Sequence, residues 1–203
     1  MQILLLRHGE TDWNLQGRCQ GAADLDLNRT GTQQAKDTAI YLSREKIDAV
    51  YSSDLKRALQ TAGAISQLHN LAVNIEENFR ELNHGDLEGL TFPDIRAAFP
   101  DLVEKWRDAP AELTIPGGER LIDVEHRTWD GMNRIIESHR PEETVVIVSH
   151  RFPILAVLCR ITDTPLNQRS FQLDPCGVNY LTYSHEGGWK VTRINHRPPT
   201  ELP

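Results

Sequence analysis

Apolar and polar positions alternate along the chain between short continuous runs and longer stretches of helical spacing. Ile3–Leu6 is an unbroken apolar run ending at Arg7-His8, which predicts a strand buried on both faces. The polar residues from Gly9 to Asp26 predict a loop. Asn28 is a good N-cap, and Ala35, Ala39 and Leu42 recur at helical spacing, so a helix is expected over Asn28–Arg44. Ile47–Tyr51 reads as a second buried strand. Leu59, Ala62, Ile65 and Leu68 form the stripe of a helix over Leu55–Leu68, and Ala72–Ile75 is a short third strand. Glu119–His139 reads as a long amphipathic helix that buries Leu121, Val124, Ile135 and Ile136. Thr144–Val148 is a strand, Pro153–Arg160 a helix, and Tyr180–Tyr183 with Trp189–Ile194 a hairpin around Gly187-Gly188.

The regular pattern breaks between Phe79 and Gly117, where Gly85, Gly89, Pro93, Pro100, Pro110 and Pro116 fall. Loops with short helices near Asp94–Phe99 and Leu102–Asp108 are expected there, an insertion at about 82–117 that caps a site. Strands otherwise alternate with helices. That predicts a three-layer α/β/α sandwich with a mostly parallel central sheet, in a single domain over 1–203. Right-handed crossovers bring the loops after parallel strands to one rim. Arg7-His8 and Ser149-His150 both follow strands, so the fold draws these distant histidines together. The tail from His196 to Pro203 is too rich in proline to be helical, and either folds back near the cap or stays mobile.

Composition narrows the functions open to such a fold. With 203 residues and 39% of them apolar, the chain can bury one substantial core. The formal charge of -7 and the lack of a basic stripe argue against nucleic-acid binding. Cys19, Cys159 and Cys176 are too far apart for a zinc or redox motif and read as reduced thiols of a cytoplasmic protein. The apolar start is too short for a signal-peptide core or a membrane span, and no other segment approaches a span.

The chemistry concentrates after the first strand, in Arg7-His8-Gly9-Glu10-Thr11-Asp12-Trp13-Asn14. This run resembles the R-H-G-x-T-x-x-N signature of the histidine phosphatase superfamily, also called phosphoglycerate-mutase-like. Further blocks resemble that family in order: Arg18-Cys19-Gln20-Gly21, Leu27-Asn28 with Gly31, and Tyr51-Ser52-Ser53-Asp54-Leu55-Lys56-Arg57-Ala58 with Thr61-Ala62. Arg80-Glu81-Leu82 with Gly85, then Pro116-Gly117-Gly118-Glu119, then Val148-Ser149-His150 follow. A tripeptide alone is weak evidence, whereas ordered blocks over nearly the whole chain are strong.

The resemblance implies a phosphatase that works through a phosphohistidine. Neutral imidazole is a competent nucleophile near neutral pH, and His8 occupies the family's nucleophile position. A phosphate monoester carries about two negative charges, which Arg7 and Arg57 can grip with forked, permanently charged donors. His150 can donate to a transferring oxygen. Asn14, Gln20 and Gly21 match substrate-contacting positions. Glu81 is the candidate acid that protonates the leaving oxygen and then activates water. The cluster supplies positive charge without a metal or other cofactor, so none is expected. Read singly, each residue has a plainer explanation: a rim cation, a loop histidine, a solvated helix arginine, or a carboxylate paired with Arg80.

Two positions bear on specificity. His84 resembles a histidine that metal-independent phosphoserine phosphatases of the family use to hold the substrate carboxylate. Arg151 stands where many members have glycine, and either aims a cation at the pocket mouth or points to solvent. The short, acidic segment carrying Glu104, Asp108 and Glu112 favours a phosphatase over a mutase. The expected substrate is a small acidic phosphorylated metabolite. The alternatives are a phosphoserine phosphatase specifically, a phosphoglycerate mutase, or a catalytically silent phosphate binder. The resemblance also makes a homodimer plausible.

Overall fold

In the computed structural model, which describes residues 1–167 and 170–197, the first apolar run becomes strand β1 (Gln2–Arg7). Ile3 and Leu5 face one side of the sheet while Leu4 and Leu6 face the other, because side chains alternate along a strand. All four are wholly buried. The run is continuous because both faces are covered, and each such side chain contributes about 1.5–3 kcal/mol by leaving water.

A one-turn helix, α1 (Asp12–Leu15), interrupts the stretch expected to be loop. A reciprocal cap between Thr11 and Asn14 closes it, a local signal the periodicity does not report. Next come α2 (Arg29–Leu42), β2 (Ala49–Ser52), α3 (Lys56–His69) and β3 (Val73–Ile75). Two 3-10 turns (Glu77–Phe79 and Gly85–Leu87) and the short helices α4 (Phe92–Ala98) and α5 (Pro100–Asp108) fill the irregular segment. The chain continues with α6 (Leu121–Ser138), β4 (Thr144–Ser149), α7 (Arg151–Thr162), β5 (Val178–Ser184) and β6 (Gly188–His196).

The sheet order is β3-β2-β4-β1-β5-β6. The strands β3, β2, β4 and β1 are mutually parallel, β5 runs antiparallel to β1, and β6 runs antiparallel to β5. Residues of α2 and α3 pack with Leu4, Leu6, Val146 and Val148 on one face. Residues of α6 and α7 pack with Ile3, Leu5, Val145 and Ile147 on the other. This is the three-layer sandwich expected, mostly parallel.

Three details differ. Leu68 is 49% exposed and Ile136 only partly buried. Periodicity marks the stripe of a helix but not where the covering layer ends. Helix α7 starts at Arg151, ahead of Pro153, because a proline in the first turn loses no helical hydrogen bond. Residues 198–203 of the tail lie outside the described residues. Among the described residues no helix is long and apolar enough to cross a membrane.

Candidate active site

The register of the sheet builds the site. Strands β1 and β4 pair in parallel with Arg7 opposite Ser149, so the next residues, His8 and His150, emerge side by side. Their ring centroids are 5.0 Å apart. On the other flank of β4, Ser52 lies opposite Val148, and Ser53 follows it into the same rim. The loop after β1 is held by Gly9 N–H donating to Thr61 Oγ1 at 3.0 Å. Helix α2 begins directly against this loop. A Cβ on Gly31 would lie 2.0 Å from the Glu10 carbonyl oxygen, so only glycine allows that approach.

His8 is set in one tautomer. Its Nδ1 lies 2.7 Å from the Gly9 carbonyl, which can only accept, so Nδ1 carries the hydrogen. Nε2 is left with its lone pair and has no hydrogen-bond partner among the described residues. Burial holds the His8 pKa well below the usual histidine range, and Arg57 and Arg7 reinforce this. The imidazole is therefore neutral near pH 7. Beside it, Arg7 Nη1 donates to the Leu173 carbonyl at 2.7 Å. Its Nε is buried and lacks a hydrogen-bond partner among the described residues. Burial lowers the Arg7 pKa to about 10, with Glu81 opposing the shift, so it remains a cation at neutral pH.

Arg57 and His150 are wholly buried and are not among the residues that line the cavity. Arg57 Nη1 and Nη2 donate to the carbonyls of Ala23 at 2.6 Å and Gly21 at 2.8 Å. Its Nε donates to His150 Nδ1 at 3.2 Å. His150 Nε2 must then carry the hydrogen, which it donates to Ser53 Oγ at 2.7 Å. Burial and Arg57 also hold the His150 pKa well below the usual range. Both ring nitrogens are engaged with Arg57 and Ser53, whereas the sequence suggested that His150 donates to a transferring oxygen. Gly21, at φ 53°, makes the turn whose carbonyl receives Arg57.

A cavity of about 230 Å³ opens in front of His8. Its polar wall includes Arg7, His8, Asn14, Gln20, Glu81 and His84. Glu81 is the only carboxylate on that wall among the described residues. Its oxygens accept backbone N–H groups from Leu82 at 2.9 Å and from Arg151 and Phe152 at 3.1 Å each, the last two at the start of α7. It makes no pair with Arg80, which bonds Asp54 instead. Asn14 Oδ1 is held by Thr11, which leaves Nδ2 as the remaining donor of its amide. Gln20 Oε1 and His84 Nδ1 are buried without a hydrogen-bond partner among the described residues. Burial lowers the His84 pKa, so this ring is neutral as well.

Another part of the wall is apolar, with Phe92 and Ile95 from α4, Leu102, Val103 and Trp106 from α5, and Phe152 from α7. Arg151, at the start of α7, is among the residues that line the same cavity. The candidate residues thus divide into a wall set and a buried pair, Arg57 and His150. Ser53, Thr61 and Arg18 were not singled out, although all three stand in the sequence blocks that carried the family resemblance. The apolar cap wall gave no motif to find.

Known proteins resemble this chain in sequence and in fold. The sequence profile of the histidine phosphatase superfamily (branch 1) matches residues 3–197. Phosphoserine phosphatase 1 of Hydrogenobacter thermophilus is 36% identical over 168 residues, covering 83% of this chain and 79% of the relative. The metal-independent phosphoserine phosphatase of Arabidopsis thaliana is 37% identical over 164 residues, covering 79% and 68% respectively. A mycobacterial glucosyl-3-phosphoglycerate phosphatase, solved as a complex with VO3, superposes with a TM-score of 0.86 at 30% identity, covering 96% of this chain and 98% of that one. Matched along nearly its whole length, the chain belongs to the histidine phosphatase superfamily, branch 1.

Proposed function

We propose that this phosphomonoester hydrolase works through a phosphohistidine formed on Nε2 of His8. The observation that carries the reading is the neutral His8 ring, its Nε2 unprotonated, beside the partnerless buried Nε of Arg7. The Nε2 lone pair attacks phosphorus, and the bond from phosphorus to the ester oxygen breaks. Arg7 holds a phosphoryl oxygen, with the charge of Arg57 behind it. Glu81 delivers a proton to the leaving oxygen, so an alcohol departs. Its carboxylate then takes a proton from water as that water attacks phosphorus. Inorganic phosphate and free His8 result. No step calls for a metal, in keeping with the metal-independent relative.

The walls support a small leaving group with both an apolar part and negative charge. Arg18 and Arg151 stand on the same cavity as the apolar cap side chains. Phosphoserine and glucosyl-3-phosphoglycerate, named in the relatives, both bear carboxylates. The unpaired Cys19, Cys159 and Cys176 support a reducing, cytoplasmic setting.

The test is phosphate release in EDTA from phosphoserine, 3-phosphoglycerate, α-ribazole phosphate and p-nitrophenyl phosphate, with His8→Ala alongside. Turnover that His8→Ala lowers by about three orders of magnitude or more is expected, with an acid-labile phosphoenzyme in the wild type only. Equal activity in the variant would overturn the reading. Tight phosphoester binding without turnover would favour the silent binder.

A further inference from the structure

We propose that Arg127 is a positioning residue for the Glu81 carboxylate, acting through the loop that carries it. The proposal rests on the acid role given to Glu81 above. Arg127 sits in α6 and is absent from the cavity wall, so it acts without touching substrate. A guanidinium has five N–H donors in a rigid fork, and here every one has an acceptor. Nη1 donates to the carbonyls of Asn78 and Arg80, each at 2.7 Å. Nη2 donates to the Glu81 carbonyl at 3.0 Å and to Glu119 Oε2 at 3.1 Å. Nε donates to Glu119 Oε1 at 3.0 Å.

These bonds stand in for a strand ladder. The loop from Asn78 to Asn83 belongs to no sheet, so its carbonyls must be satisfied from elsewhere. Besides Arg127, Ser149 Oγ donates to the Phe79 carbonyl at 2.8 Å. Glu119 closes the far end, with Oε2 accepting from Asn83 N–H at 2.9 Å and its own N–H donating to the Asn83 carbonyl at 3.0 Å. Arg127 and Glu119 therefore fix the backbone of Glu81, while the first N–H groups of α7 fix its carboxylate head. An acid must meet the leaving oxygen within hydrogen-bond reach, and a displacement of about 1 Å is enough to lower a rate about a hundredfold. Lysine keeps the charge but cannot span these acceptors from one nitrogen.

The experiment reads kcat/KM for two substrates, p-nitrophenyl phosphate and phosphoserine. The aryl oxide leaves readily without a proton, whereas the serine alkoxide needs one. Glu81→Gln should lower the phosphoserine value by about 10² to 10⁴ and the p-nitrophenyl value far less. Arg127→Lys should show the same split, about 10- to 100-fold against within about threefold, at a circular dichroism spectrum unchanged from wild type. Glu119→Gln should follow in the same direction, and it carries the test should Arg127→Lys fold poorly. Equal losses on both substrates, or none, in the Arg127 and Glu119 variants would make the bracket merely structural and overturn the proposal. A Glu81→Gln variant without the split would overturn it together with the acid role. A wild type inactive on every substrate would instead remove the phosphatase reading itself.

Discussion

Arg57 Nε donates to His150 Nδ1 at 3.2 Å, and neither side chain reaches solvent. The pair places a cation close enough to act on His8 without exposing it to water. Arg57→Lys tests the geometry. A lysine cannot reach Gly21, Ala23 and His150 together, so kcat/KM should fall by about 10² to 10³. The carbonyls left unbonded should lower stability by about 1–3 kcal/mol each where they stay buried. Steady-state kinetics and urea unfolding of the same variant read both effects, and wild-type kcat/KM in Arg57→Lys would show that only charge is needed.

Stability should depend on pH through the neutral buried imidazoles. His8, His150 and His84 all have pKa values lowered chiefly by burial. Below about pH 6.5 the unfolded chain binds protons that the folded chain refuses, so stability falls on acidification and is regained as pH rises. Each histidine contributes up to about 1.4 kcal/mol per pH unit in that window. Carboxylates with lowered pKa, such as Asp54 and Glu143, add their loss only at lower pH, near and below the ordinary carboxylate range. The urea midpoint should be flat above about pH 7 and drop between about pH 6.5 and 5. A flat midpoint through that window would mean that these rings ionise freely in the folded protein.

Gly21→Ala should disturb the loop that holds Arg57. At φ 53° an alanine is strained, and its Cβ would fall 2.0 Å from Glu88 Oε1 and 2.9 Å from the His84 backbone nitrogen. Glu88 Oε1 also accepts from Ala22 N–H at 2.6 Å, so it cannot move without losing that bond. A loss of about 1–3 kcal/mol is expected. Because the Gly21 carbonyl receives Arg57 Nη2, kcat/KM should fall with it, by about tenfold. Unchanged unfolding and kinetics would show that the loop relaxes freely.

Trp106→Ala should separate the cap wall from the chemistry. Trp106 meets the Phe152 ring edge-on at 5.8 Å across the apolar wall. Its removal should raise KM for an aryl phosphate by about tenfold, an effect of just over 1 kcal/mol, with kcat little changed. A fall in kcat at constant KM would instead place the indole in the transition-state contacts.

The amino-acid sequence by itself determined the layers and the ends of the strands. Ile3–Leu6 and Val145–Val148 are apolar at every position, as strands covered on both faces require, and each run stops at a residue pair that carries a site histidine. The residues after β1 also specify their own one-turn helix through Thr11 and Asn14. Periodicity and capping are local, so they can be read along the chain. Tertiary structure alone decided which side chains meet. Arg7 is held by a carbonyl 166 residues away, and Glu81 by an N–H 70 residues away. The burial of Arg57, the neutral rings, the cap wall with Arg151, and the bracket of Arg127 around the acid loop all arise from such contacts. A guanidinium or an imidazole takes its role from the acceptors and the dielectric around it, and the three-dimensional packing supplies both.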